Sequence, residues 1–204
     1  MPRHPDPDLE ARILNAAHKL WHRGGDKALT LRAVARAAGT NTPAVYRRFK
    51  DRHELVRGLL LRTVGRFRAM FEAGKSVEEM VDIYVDYALQ EPHEYELFYT
   101  YVHEMNRRRG TGPLQPIRES RPNFGLLEER LARQLGGSAE DHTRMALALW
   151  LVAHGTTTLL LSKAVPAGHE EALRIAARTA VRALLQGAAE FSARKSAASR
   201  QAGA

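Results

Sequence analysis

From Leu9 onward, apolar residues recur every three or four positions, and no stretch of the chain alternates apolar with polar residues. A period of 3.6 lines such residues along one face of a helix, whereas a strand needs a period of two. The pattern therefore predicts an all-α fold, and helix-ending residues cut it into segments. A first helix is expected over about 8–22, with Leu9, Ile13, Ala16, Ala17 and Leu20 on its stripe, closed by Gly24 and Gly25. A second follows the cap Thr30 and stops at Gly39. A third, short one has Thr42 as its cap and Pro43 in its first turn, and ends near Phe49. Asp51 with Glu54, and Ser76 with Glu79, form capping boxes that open a fourth and a fifth helix. Pro92 starts a sixth. Residues 106–123 hold two glycines, three prolines and five arginines, and are expected as a loop or broken helix. A seventh helix covers about 124–135. Ser138 with Asp141 opens an eighth that runs to about Lys163, and the ninth spans 169–191. The Ala/Ser/Arg/Gly-rich stretch 192–204 is expected to be a disordered tail.

Charge is distributed unevenly. Residues 1–58 contain 12 Lys+Arg against 6 Asp+Glu, a net of +6, while the rest contain 19 against 17, a net of +2. An excess concentrated in the first quarter is what a phosphate-contacting segment needs. It falls on Thr30–Phe49, TLRAVARAAGTNTPAVYRRF, where two short helices flank a Gly-containing turn with helix-turn-helix geometry. Ala35 and Ala38 would let the helices cross closely, with Val34 and Val45 packed beneath. Thr40, Asn41, Thr42 and Ala44 would face a groove, and Arg47 and Arg48 lie a turn further on. Arg can fork onto guanine, Asn onto adenine, and a small apolar side chain can meet the thymine methyl. Taken alone, the two arginines are also what a solvated helix face carries.

The strings ILNAAHKLW, TLRAVARAAG, PAVYRRF and DRHEL, in this order and spacing over about residues 9–60, resemble the N-terminal domain of TetR-type regulators. The resemblance implies a three-helix, homeodomain-like helix-turn-helix domain over 1–52. It places Thr30, Arg32, Thr42, Tyr46 and Lys50 on the phosphates of a double-stranded DNA operator, with residues 40–48 reading bases. The chain departs from the family pattern at Arg52, where Lys is commoner, and at Asn41, where Ser is commoner. Residues 53–191 would then be a helical ligand-binding and dimerisation domain.

In that domain, Trp150, His154 and Gly155 resemble the Trp-His-Gly signature of one TetR C-terminal subfamily. Trp150 and His154, four apart, share a helix face. His154 is a ligand contact or a core histidine satisfied by a neighbour. The eighth predicted helix is apolar nearly all round and needs cover on two sides. This resembles the family's homodimer interface, built from the eighth and ninth helices of each chain. Aromatic residues crowd the fifth and sixth helices. Some of them can line an apolar pocket for a small-molecule effector, and others are plain core. The expected ligand-binding residues are Tyr84, Tyr87, Phe98, Tyr99, Val102, Trp150 and His154.

Other classes find little support. There is no P-loop, dinucleotide turn, nucleophile elbow or cysteine, so neither an enzyme nor a cofactor is expected. His154 with Thr157 could act as base and nucleophile only if both faced a wet pocket. The group His93, Glu94, Glu96, His103 and Glu104 lacks metal-ligand spacing and is expected to be surface charge, with no metal. The apolar run 145–162 contains His154, Gly155 and three threonines and lacks flanking Lys/Arg clusters, so a buried helix rather than a membrane span is expected. The absence of cysteine and of an N-terminal apolar segment fits the cytoplasm. The expected function is a repressor released from a palindromic operator by a small apolar or aromatic ligand. The alternative is an activator or a ligand-independent DNA-binding protein.

Overall fold

The computed structural model describes residues 6–108 and 116–202, with side chains described except at 100, 102–108, 120, 122 and 191–202. The described residues form helices and no strands: α1 (Leu9–Ala28), α2 (Leu31–Ala37), α3 (Thr42–Arg48), α4 (Arg52–Ala73), α5 (Val77–Gln90), α6 (Pro92–Arg108), α7 (Ile117–Ser120), α8 (Pro122–Leu135), a 3-10 turn (Glu140–His142), α9 (Thr143–Leu161) and α10 (Glu170–Ala202).

Both capping boxes form. Asp51 accepts the Glu54 N–H at 2.8 Å, and Ser76 accepts the Glu79 N–H at 3.1 Å. Each glutamate in turn accepts the N–H just before the cap, from Lys50 at 2.7 Å and from Lys75 at 2.6 Å. Two orphan donors are thus satisfied at each start. The kink inside α1 falls on Gly24 and Gly25, where Gly25 has φ +57°. A side chain at Gly25 would be strained and would bring its Cβ within 3.1 Å of the His93 ring.

The helices pack as two units. The first takes the described residues up to Phe67 together with those from Glu91 into α6. Its core joins Ile13, Ala17 and Trp21 of α1, Val34 of α2, Val45 of α3, Leu55 and Leu59 of α4, and Leu97 and Tyr101 of α6. The second takes Arg68–Gln90 and the described residues beyond 115. There α9 packs against α5, α8 and α10, burying Met80 and Val85, Leu127 and Leu131, Leu149 and Ala153, and Val181 and Leu185.

The packing does not divide at residue 52, as a linear cut of the sequence suggested. The apolar stripe of α4 begins within the first unit, and α6 returns to it from a distance in sequence. The stretch expected as a disordered tail is helical through Ala202 in α10. Its alanines read as low complexity, yet alanine is also the strongest helix former. Within the expected loop 106–123, α6 continues to Arg108, and α7 and the start of α8 occupy 117–123. Residues 109–115 lie outside the described residues.

Candidate nucleic-acid interface and effector site

The turn between α2 and α3 is fixed by backbone chemistry. Thr30 caps α2, its hydroxyl accepting the Ala33 N–H at 3.2 Å. Gly39 takes φ +65°, and the Thr40 N–H reaches back to the Ala35 carbonyl at 2.9 Å, a closure that needs a left-handed residue. The cap of α3 is Asn41, not Thr42. Asn41 is extended, with φ −108° and ψ 160°, and its Oδ1 accepts the Ala44 N–H at 2.9 Å, whereas Thr42 is already helical. Val34 and Val45 are fully buried where α2 and α3 cross.

Ala44 is also buried, at 4 % exposure, so it cannot meet a thymine methyl as expected. It lies beside Val45 on the face that α3 turns into the unit. The outward face carries Tyr46 (51 % exposed), Arg47 and Arg48, with Asn41 and Lys50 exposed and Thr40 and Thr42 half-buried. Thr30 and Arg32 are exposed at the start of α2. The residues of this face offer hydroxyl, amide, guanidinium and ammonium donors, and none of them carries a carboxylate. Arg48 is partly committed, since its Nη2 donates to the Asp6 carbonyl at 3.1 Å. The Asp6 carboxylate takes Arg12 at 2.5 Å, and that bond, followed by the Asp8 N–H, holds the carboxyl below its usual range. The cap bond also occupies one lone pair of the Asn41 oxygen, so any adenine contact must use the other lone pair and the NH2.

Support for this surface comes from residues whose partners are distant in sequence. Arg52, noted above only as a departure from the family pattern, donates to the Leu29 carbonyl (3.0 Å), the Asp26 carboxylate (2.9 Å) and the Tyr101 hydroxyl (3.0 Å). It pins the end of α1 to α4 and α6. The bond from Arg52 holds the Asp26 carboxyl below its usual range, while burial pushes the Tyr101 hydroxyl up. Glu94, expected at the surface, is 1 % exposed and is held by His18 and by Arg66 at 2.9 Å. His22 meets Glu91 at 2.5 Å, and the Trp21 indole donates to the His93 carbonyl at 2.6 Å. His93 sits within 3.7 Å of the exposed Glu96. The side chains of His103 and Glu104 lie outside the described residues.

The expected ligand-binding residues are divided between the units. Tyr84, Tyr87, Trp150 and His154 belong to the second. Phe98 and Tyr99 belong to the first, where Phe98 meets Phe67 edge-on at 6.1 Å and Tyr99 lies 4.8 Å from Tyr95. The Val102 side chain lies outside the described residues. In the second unit, Trp150 and His154 lie 6.1 Å apart along α9, Phe124 of α8 meets Trp150 edge-on at 6.4 Å, and the Arg121 guanidinium sits 5.1 Å above the Trp150 ring. Burial first, and then the Arg121 charge, push the His154 imidazole below its ordinary range. A half-buried neutral imidazole beside aromatic faces can orient an apolar ligand or fill space. Thr157 is fully buried, which removes the wet pocket that a His154–Thr157 nucleophile would need.

The span Glu140–Leu161 is long and apolar enough to cross a membrane by length and composition. Part of its surface stays uncovered within the chain, with Leu151 68 % and Leu159 41 % exposed, and Ile175 of α10 is 55 % exposed.

The model of bacterial regulatory proteins of the tetR family matches residues 13–59, and the tetracyclin repressor-like C-terminal domain matches residues 77–184. No curated protein gives a significant match. Among solved structures, a protein of unknown function from Rhodococcus sp. RHA1 is 23% identical, with a TM-score of 0.67 over 91% of this chain and 100% of the other. A TetR-family transcriptional regulator from Streptomyces coelicolor is 24% identical, with a TM-score of 0.60 over 88% and 99%. The multidrug binding protein EbrR, complexed with ethidium, is 21% identical, with a TM-score of 0.61 over 88% and 99%.

Proposed function

The chain belongs to the TetR family and is a DNA-binding transcriptional regulator, and from this premise we propose that it is a cytoplasmic repressor released from a palindromic operator by a small aromatic or apolar ligand. The observation that carries the reading is the outward face of α3. Donors predominate among the residues gathered there, on a turn locked by Gly39 and two side-chain caps. Arg47, Asn41 and Thr40 read base edges. Thr30, Arg32, Thr42, Tyr46, Arg48 and Lys50 hold phosphates. The protein works by binding rather than catalysis.

A palindrome calls for two recognition helices about 34–36 Å apart. The proposed dimer is built on the uncovered apolar surface of α9 and α10, where Leu151, Leu159 and Ile175 lack cover within the chain. The same cover answers the membrane-span composition of α9. The effector site is proposed in the second unit, around Tyr84, Tyr87, Trp150 and His154, where Trp150, His154 and Gly155 resemble the Trp-His-Gly signature of one subfamily. A fold shared with a multidrug binding protein that takes ethidium supports an aromatic ligand. The helix α4, which contributes residues to both units, is the proposed lever. A ligand shifts the equilibrium only by its difference in affinity for the two states, and a coupling of about 1–3 kcal/mol weakens DNA binding roughly 5–150-fold. Selection of bound sites from random DNA, then operator titration with and without compounds found by thermal shift, tests the reading. Recovery of no palindrome would sink the operator, and hits that leave operator affinity unchanged would sink the release.

A further inference from the structure

Away from the outward face of α3, the first unit has a concave basic surface with no assigned role. A cleft of about 430 Å³ lies between α1 and α2. Arg12, Asn15, Lys19 and Arg23 line it from α1, and Arg36 lines it from α2. Its floor is Leu20 and four alanines, and among the described residues no carboxylate lines it. Arg12 is partly neutralised by Asp6 and also donates to the Ala38 carbonyl at 3.4 Å. No ion pair is seen for Lys19, Arg23 or Arg36 among the described residues. Elsewhere in this unit the inward-reaching arginines are matched, Arg52 by Asp26 and Arg66 by Glu94.

We propose that this cleft binds a small anion carrying clustered phosphates, of the pyrophosphate or nucleoside-polyphosphate class. Two guanidiniums from facing helices can each grip a pair of phosphate oxygens, Lys19 adds a point charge, and the Asn15 amide adds neutral donors. Like charges gathered in a concave site raise the local concentration of anions, and an occupant relieves their mutual repulsion. The volume falls in the small-molecule range of roughly 300–1,000 Å³. The charges converge from two facing helices over a floor of Leu20 and alanines rather than running along one helix face, which suits a compact anion. The site is separate from the aromatic effector site and does not depend on it.

The test is calorimetric titration of sodium pyrophosphate into the full chain at low ionic strength. Saturable binding with one site per chain is expected. R23Q/R36Q should weaken it at least about tenfold, because two charge-assisted forks are lost. The R57Q/R62Q double variant removes the same net charge from exposed positions on α4 and should leave the isotherm unchanged. Equal weakening by both doubles would reduce the effect to net charge and overturn the site. So would absence of saturable binding accompanied by a shallower salt dependence of DNA binding in R23Q/R36Q, which would assign the cleft to the DNA backbone.

Discussion

The Trp21 indole N–H donates to the His93 carbonyl at 2.6 Å, across 72 residues of sequence. This bond, with the His22–Glu91 and His18–Glu94 pairs, fastens the start of α6 to α1. The helix-turn-helix therefore rests on α6 as well as on its own three helices. A fragment of residues 1–52 lacks α6 and the buried Leu55 and Leu59, and circular dichroism should show it largely unfolded. Trp21→Phe in the full chain removes this bond and should cost about 0.5–1.5 kcal/mol in urea denaturation. A cooperatively folded 1–52 fragment would contradict the assignment of α6.

Asn41 has two separable duties. Asn41→Ala removes the cap and should lower stability by about 1 kcal/mol while also weakening DNA binding. Asn41→Asp keeps the acceptor for the Ala44 N–H, removes the NH2 and adds negative charge. It should preserve the melting temperature and still lose operator affinity. Equal melting losses in both variants would assign Asn41 a structural duty alone.

On the outward face, Lys50→Ala should weaken binding to all sequences alike and flatten the salt dependence by about one unit of slope. Tyr46→Phe should weaken binding uniformly and leave the slope unchanged. Arg47→Ala should relax preference at one base position, at a cost of about 1–3 kcal/mol in discrimination. Binding-site selection with each variant separates these outcomes, and uniform loss for Arg47→Ala would move it to the phosphate group.

The proposed dimer surface is best tested at its exposed apolar positions. Ala183 is exposed, but Ala180 is half-buried beside the core residue Val181, so a charge at Ala180 disturbs the unit itself. Leu151→Glu and Ile175→Glu alter only exposed positions. Each should yield folded monomers in sedimentation, with operator affinity reduced. An unaltered dimer in both would locate the interface elsewhere.

The imidazole of His154 carries a pH signature. Burial, and then Arg121, lower its folded pKa below the ordinary value near 6.5, so between these two values the unfolded chain binds more protons than the folded one. Stability should fall as the pH drops below about 6.5 and level off once the folded group also titrates. His154→Phe should flatten this part of the profile measured by urea denaturation between pH 5 and 7. An identical profile in the variant would mean that His154 is solvated in solution.

The local grammar of the chain was readable in the sequence. Asp51–Glu54, Ser76–Glu79 and Gly39 each fix a turn through residues a few positions apart, and such chemistry is visible in a linear string. The buried side of α3 was harder, because Ala44 suits either a groove or a core and only the packing of its own helix decides. Arg52 and Glu94 were missed for a different reason. Their partners Asp26, Tyr101, His18 and Arg66 are distant in sequence, and a charged residue reads as solvated until its partner is known. The only signal was the departure from the family pattern at Arg52.

The return of α6 to α1 also has a consequence in time. During synthesis, the helix-turn-helix emerges before α6, so its core at first lacks Leu97 and Tyr101. At roughly 5–20 residues per second, the ribosome delivers Tyr101 about two to seven seconds after Phe67. For that interval the nascent reading head is tethered to its own messenger without its last support. The chain thus acquires its grip on DNA only after the first segment of the second unit, Arg68–Gln90, has been made.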